Sequence, residues 1–335
     1  MDLPKLVVLD VGHGNSAVLH DSDGLVIFDA GLGSTLDDYL QSCNVTSVVA
    51  LLISHSDADH LAGASNILLS DEIQIQSVYL NPDADKGSVA FTSFRRALAS
   101  SRERNGTQVH TQLTITTAKS ITAGEVTIEI LAPGVSLTTA GNGGKDLNGR
   151  RIRPNTMSAV VRLSIADRRA ALLAGDLDET ALEHLLEENP DILAETLVFP
   201  HHGGRPGAGD PTAFATTLVN AVRPELILFS TGRGKKYVNP DPTIVAALLK
   251  AAPTAHIGCT QLSTQCSAST TAVGNHLSPL TSAGSAAGKC CIGTMEISLS
   301  TEADFFPILE KHLEFVRNNA PTALCMNRVA GIALQ

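Results

Sequence analysis

A chain of 335 residues with 43% hydrophobic and 17% charged residues can bury one large core or two modest ones, and its composition excludes a disordered protein. Tryptophan is absent and aromatic residues make up only 4%, so the core must rest on Val, Leu, Ile and Ala. A formal net charge of −10 disfavours a broad nonspecific nucleic-acid surface but leaves room for a local basic pocket.

The chain opens as MDLPKLVVLDVGHGNS, with no basic stretch leading into a long apolar run, so no secretory leader is expected. No apolar run approaches the roughly 18–20 residues of a membrane helix. Six cysteines, at 43, 259, 266, 290, 291 and 325, are too sparse for a secreted disulfide scaffold. A cytoplasmic location with no membrane association is the expectation.

Residues 3–9, 16–20 and 25–28 read as short strands, separated by the turn Gly12-His13-Gly14 and by residues 21–24. Residues 48–53 form a continuous apolar run, as in a strand buried on both faces. A helix is predicted over 60–69, a strand over 78–80 and a helix over 91–104. Strands follow over 126–131, 158–165 and 169–173. Helices over 179–188, 211–222 and 242–251 then alternate with strands over 196–199 and 226–229. Each half opens with strands and closes with strand–helix alternation, which predicts an α/β four-layer sandwich, two sheets face to face with helices outside. Residues 140–154 and 263–289 read as irregular insertions.

The chemistry concentrates in Ser54-His55-Ser56-Asp57-Ala58-Asp59-His60, four potential ligands in a short turn directly after a buried strand. Carboxylate oxygens mixed with imidazole suit Zn, Mn or Fe. Ala174-Gly175-Asp176 ends another apolar strand, where a carboxylate at a core edge is costly unless a metal takes it up. Pro200-His201-His202-Gly203-Gly204 ends the next strand in the same manner. Either cluster alone reads equally well as a structural turn; three of them at the C-terminal ends of strands point to one site.

Lys145, Arg150, Arg151 and Arg153 crowd a Gly-rich segment before Asn155, and Arg233, Lys235 and Lys236 crowd another before Asn239. If both rim the site, its mouth is basic and suits a phosphodiester or another anion; the alternative is two solvated loops. Only Tyr237 is at hand to stack on a base, which weakens the case for polymeric nucleic acid. Cys259, Cys266, His276, Cys290 and Cys291 are either a structural zinc clamp on the second insertion or buried free thiols.

The pieces Asp10-Val11-Gly12-His13-Gly14-Asn15-Ser16, Asp29-Ala30-Gly31, the HSDADH turn with Leu61-Ala62-Gly63, residues 155–163, Ala174-Gly175-Asp176, His201-His202-Gly203 and residues 237–240 occur in an order that resembles the metallo-β-lactamase superfamily. Within it the pattern is most similar to the ComEC-like branch, the metallo-hydrolase domain of a bacterial DNA-uptake protein. The resemblance implies a four-layer αβ/βα metallo-β-lactamase sandwich over residues 1–300, with a C-terminal helical extension over 301–335.

It also implies two divalent metal ions, Zn or Mn. His55, Asp57 and Asp176 would hold one. Asp59, His60, Asp176 and one of His201 or His202 would hold the other, His202 being favoured as ligand and His201 as an outer partner or proton donor. Asp29 is implied as the carboxylate that orients the ligand turn. Two metals sharing Asp176 lower the pKa of a bridging water and polarise the scissile bond, with Asp57 or Asp59 accepting its proton.

The chain departs from the family pattern in three places. Asp57 stands where the commoner form has His, no His lies near residues 155–158, and Tyr237-Val238-Asn239-Pro240 lacks the Gly-His-Pro expected after the Tyr. Arg150, Arg151, Arg153, Asn155, Arg233, Lys235 and Tyr237 remain the candidate substrate contacts. The expected function is a metal-dependent hydrolase of a phosphodiester or other anionic substrate, nucleic acid or nucleotide included, with a protein encoded nearby as a candidate partner. The alternatives are a hydrolase of a non-phosphate ester, lactone or amide, and a noncatalytic metal-binding regulatory module.

Overall fold

The computed structural model describes residues 4–117, 121–189, 191–234, 237–299 and 306–326. The first half runs β1 (Lys5–Val8), β2 (Ala17–Asp21), β3 (Gly24–Phe28), α1 (Thr35–Ser42), β4 (Ser47–Leu52), α2 (Ala58–Leu61), α3 (Ala64–Leu69), β5 (Gln74–Tyr79), α4 (Val89–Asn105) and β6 (Gln108–His110). The second runs β7 (Thr127–Ala132), α5 (Val135–Ala140), β8 (Val160–Ile165), β9 (Arg168–Leu173), α6 (Glu179–Glu188), β10 (Thr196–Val198), α7 (Pro211–Val222), β11 (Leu226–Phe229), α8 (Pro242–Ala251) and β12 (His256–Cys259). β13 (Met295–Ser298) and α9 (Phe306–Asn319) follow.

Two sheets result, in the orders β13-β1-β2-β3-β4-β5-β6 and β12-β11-β10-β9-β8-β7. Each changes character part-way. Pairing is antiparallel from β13 to β3 and parallel from β3 to β6. It is likewise antiparallel from β7 to β9 and parallel from β9 to β12.

Alternate side chains along the strands divide between two faces. Leu6, Leu19, Val26 and Leu52 of the first sheet meet Ile128, Val161, Leu173 and Leu228 of the second in a shared inner core. Val7, Val18, Ile27 and Leu51 face outward against Leu36, Leu40, Ile67 and Phe94 of the helices. Leu172, Leu197 and Ile227 face Leu182, Leu218 and Leu248 on the other side. This is the expected four-layer α/β sandwich, and burial on both faces explains the continuous apolar runs. Among the described residues no helix is long and apolar enough to cross a membrane.

The helix expected over 60–69 is two helices, α2 and α3. Gly63 packs its Cα onto the carbonyl of Gly31 with no room for a Cβ, and its N–H donates to Ala30 O at 2.9 Å, so the chain is pinned there instead of continuing the first helix. β13 and α9 tie the chain's later residues into both layers. β13 is an edge partner of β1, and Phe315 and Val316 of α9 join the outer core of the second sheet.

Candidate metal centre

The ligand-type residues leave the C-terminal ends of strands in both sheets. His55, Asp57, Asp59 and His60 follow β4, Asp176 follows β9, and His201 and His202 lie in the 3-10 turn Pro200–Gly203 after β10. Asp29, directly after β3, has φ 58°, and His201 and His202 have φ 54° and 56°. Such values are costly for side-chain-bearing residues and persist where the surroundings over-determine them. Here they aim three side chains inward.

Hydrogen bonds fix the rings. Asp29 accepts from Ser54 N at 2.7 Å, from Ser54 Oγ at 2.8 Å and from His60 Nδ1 at 2.7 Å. His55 Nδ1 lies 3.1 Å from the same Ser54 Oγ, and His202 Nδ1 donates to Ser230 O at 2.8 Å. Each ring thereby turns its Nε2 away from the bracing group, which is how protein metal sites set imidazole tautomers. Ser158 Oγ accepts from Asp176 N at 2.9 Å.

The Nε2 atoms of His55, His60, His201 and His202 and Asp176 Oδ1 are buried without hydrogen-bond partners. His60 Nε2 lies 3.2 Å and His202 Nε2 3.6 Å from Asp176 Oδ1. His55 Nε2 is 3.8 Å and His201 Nδ1 3.5 Å from Asp176 Oδ2, and His202 Nε2 is 3.2 Å from Asp59 Oδ2. Ligand atoms of a tetrahedral zinc, each about 2.0–2.1 Å from the ion, are about 3.4 Å apart. The donor set and its spacing therefore fit divalent metal, and orphaned buried donors have no cheaper explanation. Among the described residues two groups have all their ligating atoms within 4.8 Å of one another, His55 with His60 and Asp176, and His13 with Asp59 and His202.

The electrostatics agree. Burial alone would raise the Asp176 carboxyl, but His60, His202 and His201 outweigh it and hold its pKa well below the usual range. Burial opposes charge on His60, yet Asp176 and Asp29 raise its pKa well above the usual value. For Asp59 the upward push of burial is overcome by His202 and His60, leaving a pKa of about 2. Burial and the neighbouring His202 pull His13 down to about 4, so its ring is neutral.

Asp57 reaches His55 Nε2 at 3.8 Å but also pairs with Lys86, from the loop between β5 and α4. Arg150 is turned onto the buried Asp146 at 2.7 Å and onto Glu183. Arg151 approaches Asp85 at 3.5 Å. Arg153 is exposed, and Asn155 opens the 3-10 turn Asn155–Met157. The Arg233 guanidinium donates to Leu262 O and Ser267 O, both at 2.8 Å, and so clasps the second insertion. Lys235 and Lys236 lie outside the described residues. Tyr237 stacks on His13, with centroids 4.4 Å apart at 10°.

All six cysteines are free thiols. Among the described residues no three of Cys259, Cys266, His276, Cys290 and Cys291 come within ligating reach of one another. His13 and Lys86 were not reached from the sequence. The signal available for His13 was an imidazole set between two glycines at a strand end.

Residues 9–75, a span holding both the His13 turn and the HSDADH turn, match the family model of the metallo-beta-lactamase superfamily. The match covers the first quarter of the chain, and nothing beyond residue 75 is matched by it. No curated protein sequence matches the chain. Among solved structures, the chain is similar to the CmlA beta-hydroxylase E377D mutant, at 14% identity and TM-score 0.45 over 76% of the chain; it spans 51% of that hydroxylase. It is similar to the metallo-beta-lactamase fold protein YhfI from Bacillus subtilis, at 11% identity and TM-score 0.48, over 77% of this chain and 96% of that one. It is also similar to the short form of human tRNase Z, at 13% identity and TM-score 0.39, over 68% of this chain and 92% of that one.

Proposed function

We propose that this protein is a metal-dependent hydrolase of a phosphodiester or another anionic ester, with nucleic acids and nucleotides the first substrates to test. The observation that carries this reading is the convergence of the Nε2 atoms of His55, His60 and His202, all buried and unpartnered, on the buried Asp176 carboxylate. His55 and Asp176, with Asp57 beside them, would hold one ion, and His60, which the resemblance assigns to the second, groups with them instead; Asp59 and His202 would hold a second ion next to Asp176. Divalent ions bound there, Zn or Mn, supply an acidified water and polarise the scissile bond.

The chain's own residues do the rest. Asp57 and Asp59 flank the centre and are its more open carboxylates, placed to take a proton from the attacking water. His201 Nδ1 faces Asp176 Oδ2, and burial lowers its pKa; it is placed to relay a proton beside the reacting centre. With two divalent ions in place, the three carboxylates Asp57, Asp59 and Asp176 are outweighed, and Lys86 adds further positive charge. Arg153, exposed just before the Asn155 turn, extends that field outward. A net positive pocket on an acidic protein favours an anion.

A second reading has its own support. Arg150 and Arg233 are committed to Asp146, Glu183 and main-chain carbonyls, which leaves a thinner basic rim than the sequence suggests. That favours a neutral lactone, ester or amide. Zn- and Mn-reconstituted protein should be assayed against single-stranded DNA, RNA, cyclic dinucleotides, bis(p-nitrophenyl) phosphate and p-nitrophenyl acetate. Turnover of a phosphodiester supports the main reading. Turnover of the acetate alone moves the assignment to the second, and no turnover of any of them with both ions bound overturns both.

A further inference from the structure

We propose that His13 is a metal ligand, which with Asp59 and His202 forms a three-donor site for the second ion, next to Asp176. Its Nε2 lies 3.6 Å from Asp59 Oδ2, and its ring centroid is 4.5 Å from that of His202. His202 Nε2 in turn stands 3.2 Å from Asp59 Oδ2 and 3.6 Å from Asp176 Oδ1. These spacings bracket the edge of about 3.4 Å in a tetrahedral zinc site.

The position is built into the fold. Gly12 and Gly14, at φ 83° and 143°, make the tight turn that projects the imidazole. Gly14 packs against the Asp59 carbonyl and Gly232 against the His13 amide, both without space for a Cβ. Asn15 N donates to Asp59 O at 3.1 Å, so the turn and the ligand helix are hydrogen-bonded to each other. Asp10, fully buried, locks the turn from below, accepting from Gly12 N at 3.0 Å, Gln261 Nε2 at 2.9 Å, Ser282 Oγ at 2.5 Å and Gly284 N at 2.9 Å.

His13 differs from His60 and His202 in how it is aimed. Their Nδ1 atoms are held by hydrogen bonds, whereas His13 Nδ1 makes none and the ring is held by its stack on Tyr237. Tyr237 is thus a positioning residue for the ligand, and it is half exposed, which places this ligand at the mouth of the site. The second ion is the one that answers to the entrance.

The proposal rests on the metal-centre reading above, and the test separates the two. Full-length apo-protein is titrated with Zn against a chromophoric chelator and with Co(II) by absorption, as wild type, His13→Ala, His13→Gln and His13→Asp. Loss of an outer partner costs about 10–100-fold in metal affinity, so His13→Ala should weaken the second ion by more than about 100-fold and change its Co(II) spectrum while sparing the first. His13→Asp, which offers a replacement donor, should recover part of the loss. If His13→Ala disturbs folding of the apo-protein, His13→Gln, which fills the same space but coordinates poorly, reads the same result. Unchanged affinity and spectrum in His13→Ala or His13→Gln overturn the role of His13 alone. A wild-type protein that takes up no ion overturns the metal centre with it.

Discussion

Asp29 Oδ2 accepts the Nδ1 proton of His60 at 2.7 Å, and that single contact decides which nitrogen of His60 faces Asp176. Asp29 also accepts from Ser54, whose hydroxyl touches His55 Nδ1, so one carboxylate aims two imidazoles. Asp29→Asn should therefore lower metal affinity by about 10–100-fold although Asp29 itself holds no metal. Chelator competition on the purified variant is the check; wild-type affinity would show that packing alone aims the rings.

Asp176→Asn probes the centre of the cluster. Both carboxylate oxygens face imidazoles, and an amide of the same shape cannot serve two ions. Activity should fall by more than the roughly 100-fold expected of an outer-partner loss, while thermal stability of the apo-protein falls by far less, the histidines losing only one counter-charge. Near-normal turnover in the variant would make Asp176 a structural residue.

Lys86 pairs with Asp57, the carboxylate proposed to stand beside the first ion. Lys86→Met should leave metal content intact or increased, while KM for an anionic substrate rises several-fold and its salt dependence flattens. A drop in bound metal on removing this cation would contradict the arrangement.

His20 gives a pH prediction apart from the metals. Half-buried between sheet and helix, with Nε2 2.8 Å from Tyr39 Oη, it has its pKa lowered by burial and by Lys5 from 6.5 to about 4. The unfolded chain takes up the proton first, so this contribution to stability is complete above pH 6.5 and is lost as pH falls towards 4. Urea melts of the apo-protein across that window should show the loss, and His20→Gln should flatten part of it.

Much of the site was readable because ligand-rich turns followed apolar runs, as at His55–His60, Asp176 and His201–His202. Helices α7 and α8 matched their sequence bounds because Asp210-Pro211 and Asp241-Pro242 cap and start them. Other features are tertiary and leave no local trace. Gly63 breaks a helix only because Gly31 presses on it. Arg233 looks like a surface cation until the carbonyls of Leu262 and Ser267 arrive. His13 is one imidazole without periodicity or neighbours in sequence, and only the approach of Asp59 and His202 gives it meaning. β13 is four residues long, and its partner β1 stands at the other end of the chain.

The hydrogen bonds around Asp10 have a consequence for assembly. Three of its donors, Gln261, Ser282 and Gly284, lie more than 250 positions later in sequence. During synthesis the HSDADH turn, Asp176 and the histidine pair all emerge while Asp10 still lacks these partners. The hydrogen bonds that lock the entrance turn are complete only when residues 261–284 pack against it.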